Sequence, residues 1–415
     1  MKMTKEIPQL LKGFRDYLPQ QQLARRKILG KISEVFERFG FAPIDTPVLE
    51  YYELLGGKYG DEGEQLMYKF TDQGDRKVAM RYDLTVPLAR VMASYPDLPK
   101  PFKRYQMALV WRADKPQKGR YRELMQCDVD VVGSNSINAD VEVIAAMNAA
   151  YKSLEVGNVE VKFNDRKLVD EALSQLQVTR EDVPKFMRTL DKLDKMGEEK
   201  VIASLTEQGF AADILKEYAG VMDDLAKNYV VQMQQLLSGL GVERMKFDKY
   251  LMRGLDYYTG LVFEFTLVEK PEFGSVGGGG RYDKLIGSIT GVDMPAVGGS
   301  IGLDRLFAAL EEMGVISPQT AAEVIVFNLD KSLTPDYLNM VKNLRDAGLD
   351  AEFYYDPVKL DKQFKYAEAK NMQVAVIYGT EEAKTRKVNI KNLREKQQRV
   401  VDLDNLISEV KSMLW

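Results

Sequence analysis

Arg253-Gly-Leu-Asp-Tyr-Tyr258-Thr-Gly-Leu-Val-Phe-Glu264 is the stretch on which the fold turns. As a plain strand with tyrosines facing a core, it leaves the arginine that opens it without a purpose. Downstream, Ser275-Val-Gly-Gly-Gly-Gly-Arg-Tyr-Asp283 places four glycines in a row on what reads as a strand edge, where missing side chains permit close backbone approach to a small ligand. A flexible linker of that composition would not run into Arg-Tyr-Asp followed by Lys-Leu-Ile. Gly298-Gly-Ser-Ile-Gly-Leu-Asp-Arg305-Leu-Phe then reads as a glycine-bearing strand turning into a helix, with Arg305 in the first turn. Upstream, Val110-Trp-Arg112-Ala-Asp114 leads into a basic loop hinged on glycine, Lys115-Pro-Gln-Lys-Gly-Arg120-Tyr-Arg122-Glu. Each piece alone is an ordinary pattern. Their order and spacing bring arginines, a glycine-rich wall and paired tyrosines to one pocket.

Composition narrows what that pocket can do. A chain of 415 residues predicts two or three domains, each able to bury its own core. Apolar residues make up 45% and charged residues 29%, the mix of an ordinary soluble globular protein. No apolar run approaches the roughly 18 residues that a membrane helix needs. The start, Met-Lys-Met-Thr-Lys-Glu-Ile-Pro, is too polar for a signal peptide, so a cytoplasmic location with no membrane partner is expected. The lone cysteine, Cys127, excludes an intrachain disulfide and a cysteine zinc cluster, and reads as a small buried residue beside the site. There is no histidine at all, which removes Ser-His and Cys-His nucleophile pairs, histidine metal ligands and histidine bases. Any catalysis must therefore rest on arginines, carboxylates and oriented backbone.

The pattern along the chain predicts an α+β protein. Ile28 to Phe39 has helical spacing and stops at Gly40, and Phe41 to Glu50 reads as an extended strand broken by prolines. From Leu66 to Val91 and from Phe102 to Val132, short β-type runs suggest hairpins of an antiparallel sheet. Residues 170 to 241 repeat Leu, Met, Lys and Glu at helical spacing, which predicts a helical insertion before the sheet resumes at Met245. After Met313, strands at Val324-Ile-Val-Phe, Ala351-Glu-Phe-Tyr-Tyr, Val374-Ala-Val-Ile-Tyr and Val388-Asn-Ile alternate with helices near 334 to 347, 359 to 371 and 403 to 413. That alternation predicts a parallel or mixed α/β sheet.

Taken together, these motifs resemble those of the histidyl-tRNA synthetases, class II aminoacyl-tRNA synthetases, from about Gly13 to the C-terminus. The resemblance implies a class II antiparallel catalytic sheet with flanking helices over 1–169 and 242–320, a helical insertion over 170–241, and a C-terminal α/β anticodon-binding domain over 323–415. The helix-then-strand pair ending at Pro47 is similar to the family's motif 1, which implies a homodimer. The implied reaction joins L-histidine to the α-phosphorus of ATP and passes it to tRNA(His). Charge gathers on phosphoryl oxygens in such a step, so arginine forks suit it better than lysine.

The resemblance assigns residues as follows. Arg112 is placed on the α-phosphate, Arg253 beside that phosphate and the substrate carboxylate, and Arg305 against the nucleotide, as the three catalytic arginines. Asp114, Arg120 and Leu124 complete the ATP site. Asp114 is shorter than the glutamate many class II enzymes carry, and Leu124 stands where the family usually stacks an aromatic ring under adenine. Asp83, Thr85 and Gln126 fall on the α-amino group. Asp130, in place of the glutamate of many bacterial members, and Tyr258 fall on the imidazole, with Tyr257 and Tyr282 in the same pocket. Lys115 and Gln117 lie where the tRNA end would approach. Mg²⁺ is implied as a bridge between the outer phosphates, with no protein ligands legible.

Net charge is −4, so nucleic-acid binding depends on distribution. Residues 384 to 399 hold seven basic side chains against Glu395, a difference of +6 that reads equally as a phosphate-binding stripe or a solvated hairpin. The alternative function is a non-catalytic relative that senses histidine or uncharged tRNA, but both signature stretches and the C-terminal segment are present. The resemblance implies a chain that charges tRNA with histidine yet contains none; selection for synthesis when histidine is scarce is one explanation, compositional drift or deliberate engineering the other. Under selection, its rate of synthesis during histidine starvation is expected to hold while that of histidine-containing proteins falls; pulse labelling showing a parallel fall would refute the idea.

Overall fold

A computed structural model describes residues 8–414 apart from 118, 253–256 and 317–319. Its strands are, in chain order, β1 (Ala42–Pro43), β2 (Leu49–Tyr51), β3 (Lys69–Thr71), β4 (Lys77–Met80), β5 (Phe102–Trp111), β6 (Glu123–Val132), β7 (Val159–Asp165), β8 (Met245–Phe247), β9 (Leu261–Leu267), β10 (Ser275–Arg281), β11 (Ala296–Gly302), β12 (Val324–Val326), β13 (Ala351–Phe353), β14 (Val374–Ile377), β15 (Lys387–Asn392) and β16 (Gln398–Asp402). They form an eight-stranded sheet of order β1-β5-β6-β11-β10-β9-β7-β8, a three-stranded sheet β2-β4-β3 and a five-stranded sheet β13-β12-β14-β15-β16. Chain contacts divide the molecule into two compact units, one of 1–15 and 28–315, the other of 16–27 and 316–415.

In the first unit, the large sheet is antiparallel except at its edges, where β1 runs parallel to β5 and β8 parallel to β7. Its centre is the long hairpin β5–β6, paired from Phe102↔Val132 to Trp111↔Glu123. β6 then pairs with β11, and β11 with β10. Because side chains alternate between faces, Gln126, Asp128 and Asp130 share one face of β6, while Cys127, Val129 and Val131 turn to the other and are buried. Helix Ile137–Ser153 covers that second face, bringing Met147 and Tyr151 against glycines of β10 and β11. Its N-cap is Ser136, whose side chain accepts from the Asn138 N–H.

Between β7 and β8 run helices Arg166–Gln175, Val183–Leu190, Leu193–Met196, Glu198–Glu207, Ile214–Leu225 and Lys227–Gly239. They enclose a core of their own built on Phe186, Leu190, Leu205, Tyr218 and Met222. In the second unit, β12 pairs parallel with both β13 and β14, and β14–β15–β16 continue antiparallel. Val324, Val326, Tyr337, Val374, Val376 and Ile390 lie in one core, and Ile325, Phe327 and Ala375 in another on the opposite side of the same strands.

Several local expectations change. The run from Phe41 to Glu50 is two strands in two different sheets, β1 and β2. The β-type run to Val91 ends in a helix, Thr85–Ser94, whose first N–H groups, on Thr85 and Val86, are taken by the Asp83 carboxylate at 3.1 Å each. This local cap overrides the β-branched pair Thr85-Val86. The first helix spans Pro19–Arg38 and so begins well before Ile28. The basic segment 384–399 enters β15 and β16, a hairpin of which only Val388-Asn-Ile read as strand. Three of its cations are engaged locally: Lys384 with Glu381, Arg386 with Asp404 and Arg399 with Glu409.

Candidate active site

One cavity of about 450 Å³ opens on the front face of the large sheet, the face that carries Gln126, Asp128 and Asp130. Its walls include Asp83, Thr85, Arg112, Asp114, Arg120, Leu124, Gln126, Asp130, Tyr257, Tyr258, Tyr282 and Arg305. The residues that sequence motifs marked for small-molecule binding therefore converge, apart from Arg253, which lies outside the described residues. Lys115 and Gln117 are exposed on the loop and do not line the cavity.

The floor is explained by one row across the sheet. Arg104 of β5, Asp130 of β6, Gly298 of β11 and Gly280 of β10 are direct cross-strand partners, so all four face the same way. A Cβ at 298 would sit 1.7 Å from Asp130 Oδ1, and one at 280 would sit 2.8 Å from the Tyr258 ring. Neither glycine can carry a side chain without evicting a site residue. This refines the sequence expectation of glycines that admit a ligand: at these two positions the vacated space is taken by the protein's own Asp130 and Tyr258. Gly277 and Gly299 face the back, where a Cβ would meet Tyr151 Oη at 2.3 Å and Met147 Sδ at 2.4 Å. Gly278 and Gly302, with Gly298 and Gly299, still line the cavity with backbone.

Two buried carboxylates mark the cavity's acidic side. Asp83 Oδ1 accepts from Tyr59 at 2.9 Å and from the Thr85 and Val86 N–H groups, while Oδ2 accepts from Tyr257 at 3.3 Å. Burial holds its pKa above the usual carboxylate range, although the Val86 N–H and the Arg112 charge pull the other way. Asp130 Oδ1 accepts from Tyr282 at 2.5 Å, and Arg104 Nη2 lies 2.7 Å from Oδ2. Burial likewise raises Asp130, opposed chiefly by Arg104. Tyr257 links the two groups, with ring centroids 5.0 Å from Tyr258 and 6.1 Å from Tyr282.

The basic side is built from β5, β6 and the start of helix Leu303–Glu312. Arg112 donates from Nε to the Tyr82 carbonyl at 2.9 Å and from Nη2 to Gln126 Oε1 at 3.3 Å, with its guanidinium 4.6 Å from the Tyr82 ring centroid. Gln126 passes the chain on to Ser300 Oγ at 2.9 Å. Arg120 pairs with Asp114 at 3.0 Å. Arg305 Nη1 donates to the Ser275 carbonyl at 2.5 Å, and Asp304 accepts from the Met125 N–H at 2.7 Å, which ties the helix to β6. The loop tip closes through reciprocal Gln117 and Arg120 backbone bonds, and Gly119 sits at φ +70° close against Arg305. A side chain at 119 would meet Arg305 Cα at 3.1 Å. Leu124 packs with Leu84, Ala108 and Val110, so a leucine forms this part of the wall.

Other lining residues carried no sequence signal of their own. Ser300 and Asp304 sit inside a recognised motif, but their roles depend on cross-strand register. Asp128 and Asp191 belong to none of the sequence motifs, and Asp191 comes from the helical segment between β7 and β8. Among the described residues, no group of three acidic, histidine or cysteine side chains is placed to hold a metal ion.

The family model described as histidyl-tRNA synthetase matches residues 13–306, and that of an anticodon-binding domain matches 323–413. A histidine–tRNA ligase of Rhodopirellula baltica is 41% identical over 94% of this chain and 94% of that protein. One of Christiangramia forsetii is 36% identical over 97% of this chain and 99% of its own length. The crystal structure of histidyl-tRNA synthetase from Nostoc sp. superposes with a TM-score of 0.85 at 30% identity, covering 98% of this chain and 100% of that one.

The glycine row makes a direct structural prediction. Gly298→Ala forces Asp130 out of its place, and is expected to cost about 1–3 kcal/mol of stability through overpacking. Gly30→Ala, in a helix where a Cβ meets nothing within 4 Å, should instead be neutral or slightly stabilising. Thermal melts of both variants check this; an unchanged melting temperature for Gly298→Ala would show that the row tolerates a side chain.

Proposed function

Since the chain belongs to the histidyl-tRNA synthetase family and is a histidine–tRNA ligase, we propose a division of labour among its residues. The observation that carries it is the convergence of buried carboxylates and phosphate-suited arginines on opposite sides of one cavity. Histidine enters with its α-ammonium on Asp83, Thr85 and Gln126. An arriving cation offsets the burial that raises the Asp83 pKa and keeps the carboxylate ionised. The imidazole lies over the Gly298–Gly280 floor between Asp130 and Tyr258, with Tyr257 and Tyr282 holding those partners. Neutral imidazole has one N–H donor and one acceptor nitrogen. A carboxylate and a tyrosine hydroxyl match both, and an analogue lacking the nitrogens leaves a buried acceptor unpaired.

ATP occupies the basic side, its α-phosphate on Arg112 and its adenine between Leu124 and Arg305. Arg120 turns from Asp114 to the outer phosphates. In the first step, the histidine carboxylate oxygen bonds to the α-phosphorus and the bond to pyrophosphate breaks. Fixed guanidinium groups stabilise the charge on the phosphoryl oxygens. Arg253 is assigned to the same phosphate and to the substrate carboxylate by its motif. In the second step, the ribose hydroxyl of the tRNA end attacks the adenylate carbonyl and AMP leaves, with Lys115 and Gln117 exposed on the loop toward that end. The described residues form no three-ligand metal cage, so Mg²⁺ would travel with the phosphates of ATP.

The same reading assigns 1–169 and 242–320 to the catalytic domain, 170–241 to the insertion and 323–415 to anticodon binding, in a cytoplasmic enzyme. None of the described helices is long and apolar enough to cross a membrane. A homodimer is supported by exposed Leu49, Tyr51 and Phe70 on the small sheet β2-β4-β3 and by exposed Val48 just before β2, beside the motif 1 proline.

Pyrophosphate exchange into ATP, run with each of the twenty amino acids and no tRNA, should proceed with histidine alone. Binding of histidine without exchange would return the chain to the sensing alternative. Arg253→Ala should lower exchange by about a hundredfold or more with folding intact, and retention of more than a few per cent of the rate would remove its assigned role. Leu49→Lys combined with Tyr51→Lys should convert a dimer to monomer in sedimentation equilibrium; a monomeric parent enzyme would sink the dimer proposal.

A further inference from the structure

Arg104 has no part in the assignment above, yet it lies against the carboxylate proposed to read the imidazole. Its side chain is fully buried. Its Cα is directly opposite that of Asp130 in the β5–β6 pairing. Nη2 lies 2.7 Å from Asp130 Oδ2 and 3.8 Å from Asp128 Oδ2, and donates to the Leu84 carbonyl at 3.2 Å. Nη1 reaches Gln106 Oε1 at 3.5 Å. One cation thus serves two buried acids, and the set is incompletely satisfied: Arg104 Nε, Asp128 Oδ1 and Asp130 Oδ2 are buried without a hydrogen-bond partner, the last paired with Arg104 by charge alone.

As a device for stability this arrangement is poor. Desolvating three charges costs several kcal/mol per ion, and apolar residues of similar volume would fill the space at no greater cost. Its benefit lies elsewhere. The groups facing Asp130 are Asp128 on its own strand, Arg104 on β5, Tyr282 after β10 and Asp83 before helix Thr85–Ser94. Arg104 is the cation in this group; Asp128 and Asp83 both favour protonation of Asp130. A protonated carboxyl would donate where the imidazole N–H needs an acceptor.

We infer that Arg104 is a specificity-determining positioning residue, which fixes Asp130 as an ionised acceptor for a histidine ring N–H. The inference rests on the proposed reading of Asp130. It also accounts for the reach of the aspartate: a short carboxylate held from behind by a buried cation and from the side by Tyr282 has one orientation toward the cavity.

The test measures pyrophosphate exchange by the full chain and its variants, with KM for histidine and for ATP followed from about pH 6 to 8, the range in which the ligand's own ring titrates. Arg104→Met combined with Asp128→Asn removes one cation and one acid, so the buried set keeps its net charge and the variant has a fair chance of folding. Its KM for histidine should rise on the order of tenfold or more, as when a charged hydrogen-bond partner is lost. The ATP KM and the melting temperature should change little. The histidine KM should also fall more steeply with rising pH than in the parent enzyme, because Asp130 must now lose its proton without help. Arg104→Lys should recover most of the affinity.

Three results would overturn the inference: a histidine KM within about twofold of the parent with a parallel pH profile; full loss in Asp128→Asn alone; or both KM values and the melting temperature moving together, which marks a structural role only. Asp130→Ala separates the two levels. If it raises the histidine KM and the double variant does not, Asp130 reads the ring without Arg104. If it leaves the histidine KM unchanged, the reading of Asp130 fails and the inference falls with it.

Discussion

A carboxylate stands on the floor of this cavity because the neighbouring position on the next strand has no side chain. Asp130 Oδ1 occupies the volume that a Cβ at 298 would need. Most of the front face follows from that exclusion. Tyr282 reaches the same oxygen from beyond β10, Tyr258 fills the space over Gly280, and Arg104 closes the row at the β5 side. The constraint is one of register: a one-residue slip that set Val297 opposite Asp130 would turn the valine side chain into that volume, because direct cross-strand partners share a face. The back face uses the same device for packing, since Gly277 and Gly299 admit Tyr151 and Met147 of the helix behind the sheet. Two strands of glycine therefore serve a binding floor and a helix seat at once.

Charge is separated across the cavity in a way that suits two anions meeting beside a cationic amine. Asp130 lies within the sheet and Asp83 just before helix Thr85–Ser94, where burial makes each hydrogen bond count. Arg112 comes from the end of a strand, Arg120 from the loop and Arg305 from the first turn of helix Leu303–Glu312, with partners that are carbonyls or neighbouring side chains. Arg112 spans both sides. Its bond to Gln126 and its charge on Asp83 connect the phosphate side to the amino-group side, and Gln126 continues to Ser300. Displacing any one of these groups would be felt by the others through contacts of about 3 Å, the range in which orientation governs reaction rate.

How much of this was legible in the sequence depends on whether a residue's role is local. Arg112, Arg305 and Tyr258 stand out because their neighbours specify a strand end, a helix first turn or a tyrosine pair. The helical segment before Met245 and the parallel core of the second unit follow from periodicity alone. The helix Thr85–Ser94 is not legible because the first N–H groups are taken by Asp83, which the sequence marks as a ligand of the substrate and not as the cap of a helix. Arg104 and Asp128 were missed for a different reason: each is an ordinary charged residue in a strand until the pairing Arg104↔Asp130 and Gln106↔Asp128 is known. The glycines were recognised as a wall, but which of them admit a ligand and which admit the protein's own atoms is set by strand register, which composition does not encode.

An absence of histidine shapes the electrostatics of the whole site. In a chain without imidazole, side chains that change charge near neutral pH must be perturbed from elsewhere, and burial of carboxylates is the means present here. Asp128 is pushed up to about 7, chiefly by burial with Arg104 opposing, and Asp140 to about 6 despite its bonds to Arg281. Arg281 itself is spent on Asp140, Asp283 and the carbonyls of Ser134 and Ser136, so it anchors the strand end that carries Tyr282. The imidazole of the substrate is then the group in the filled pocket whose ordinary pKa lies in the physiological range. A pocket that identifies that ring by where its protons sit gains from having no imidazole of its own to exchange protons with, and from a guanidinium, which never gives its proton up, as the fixed point behind Asp130.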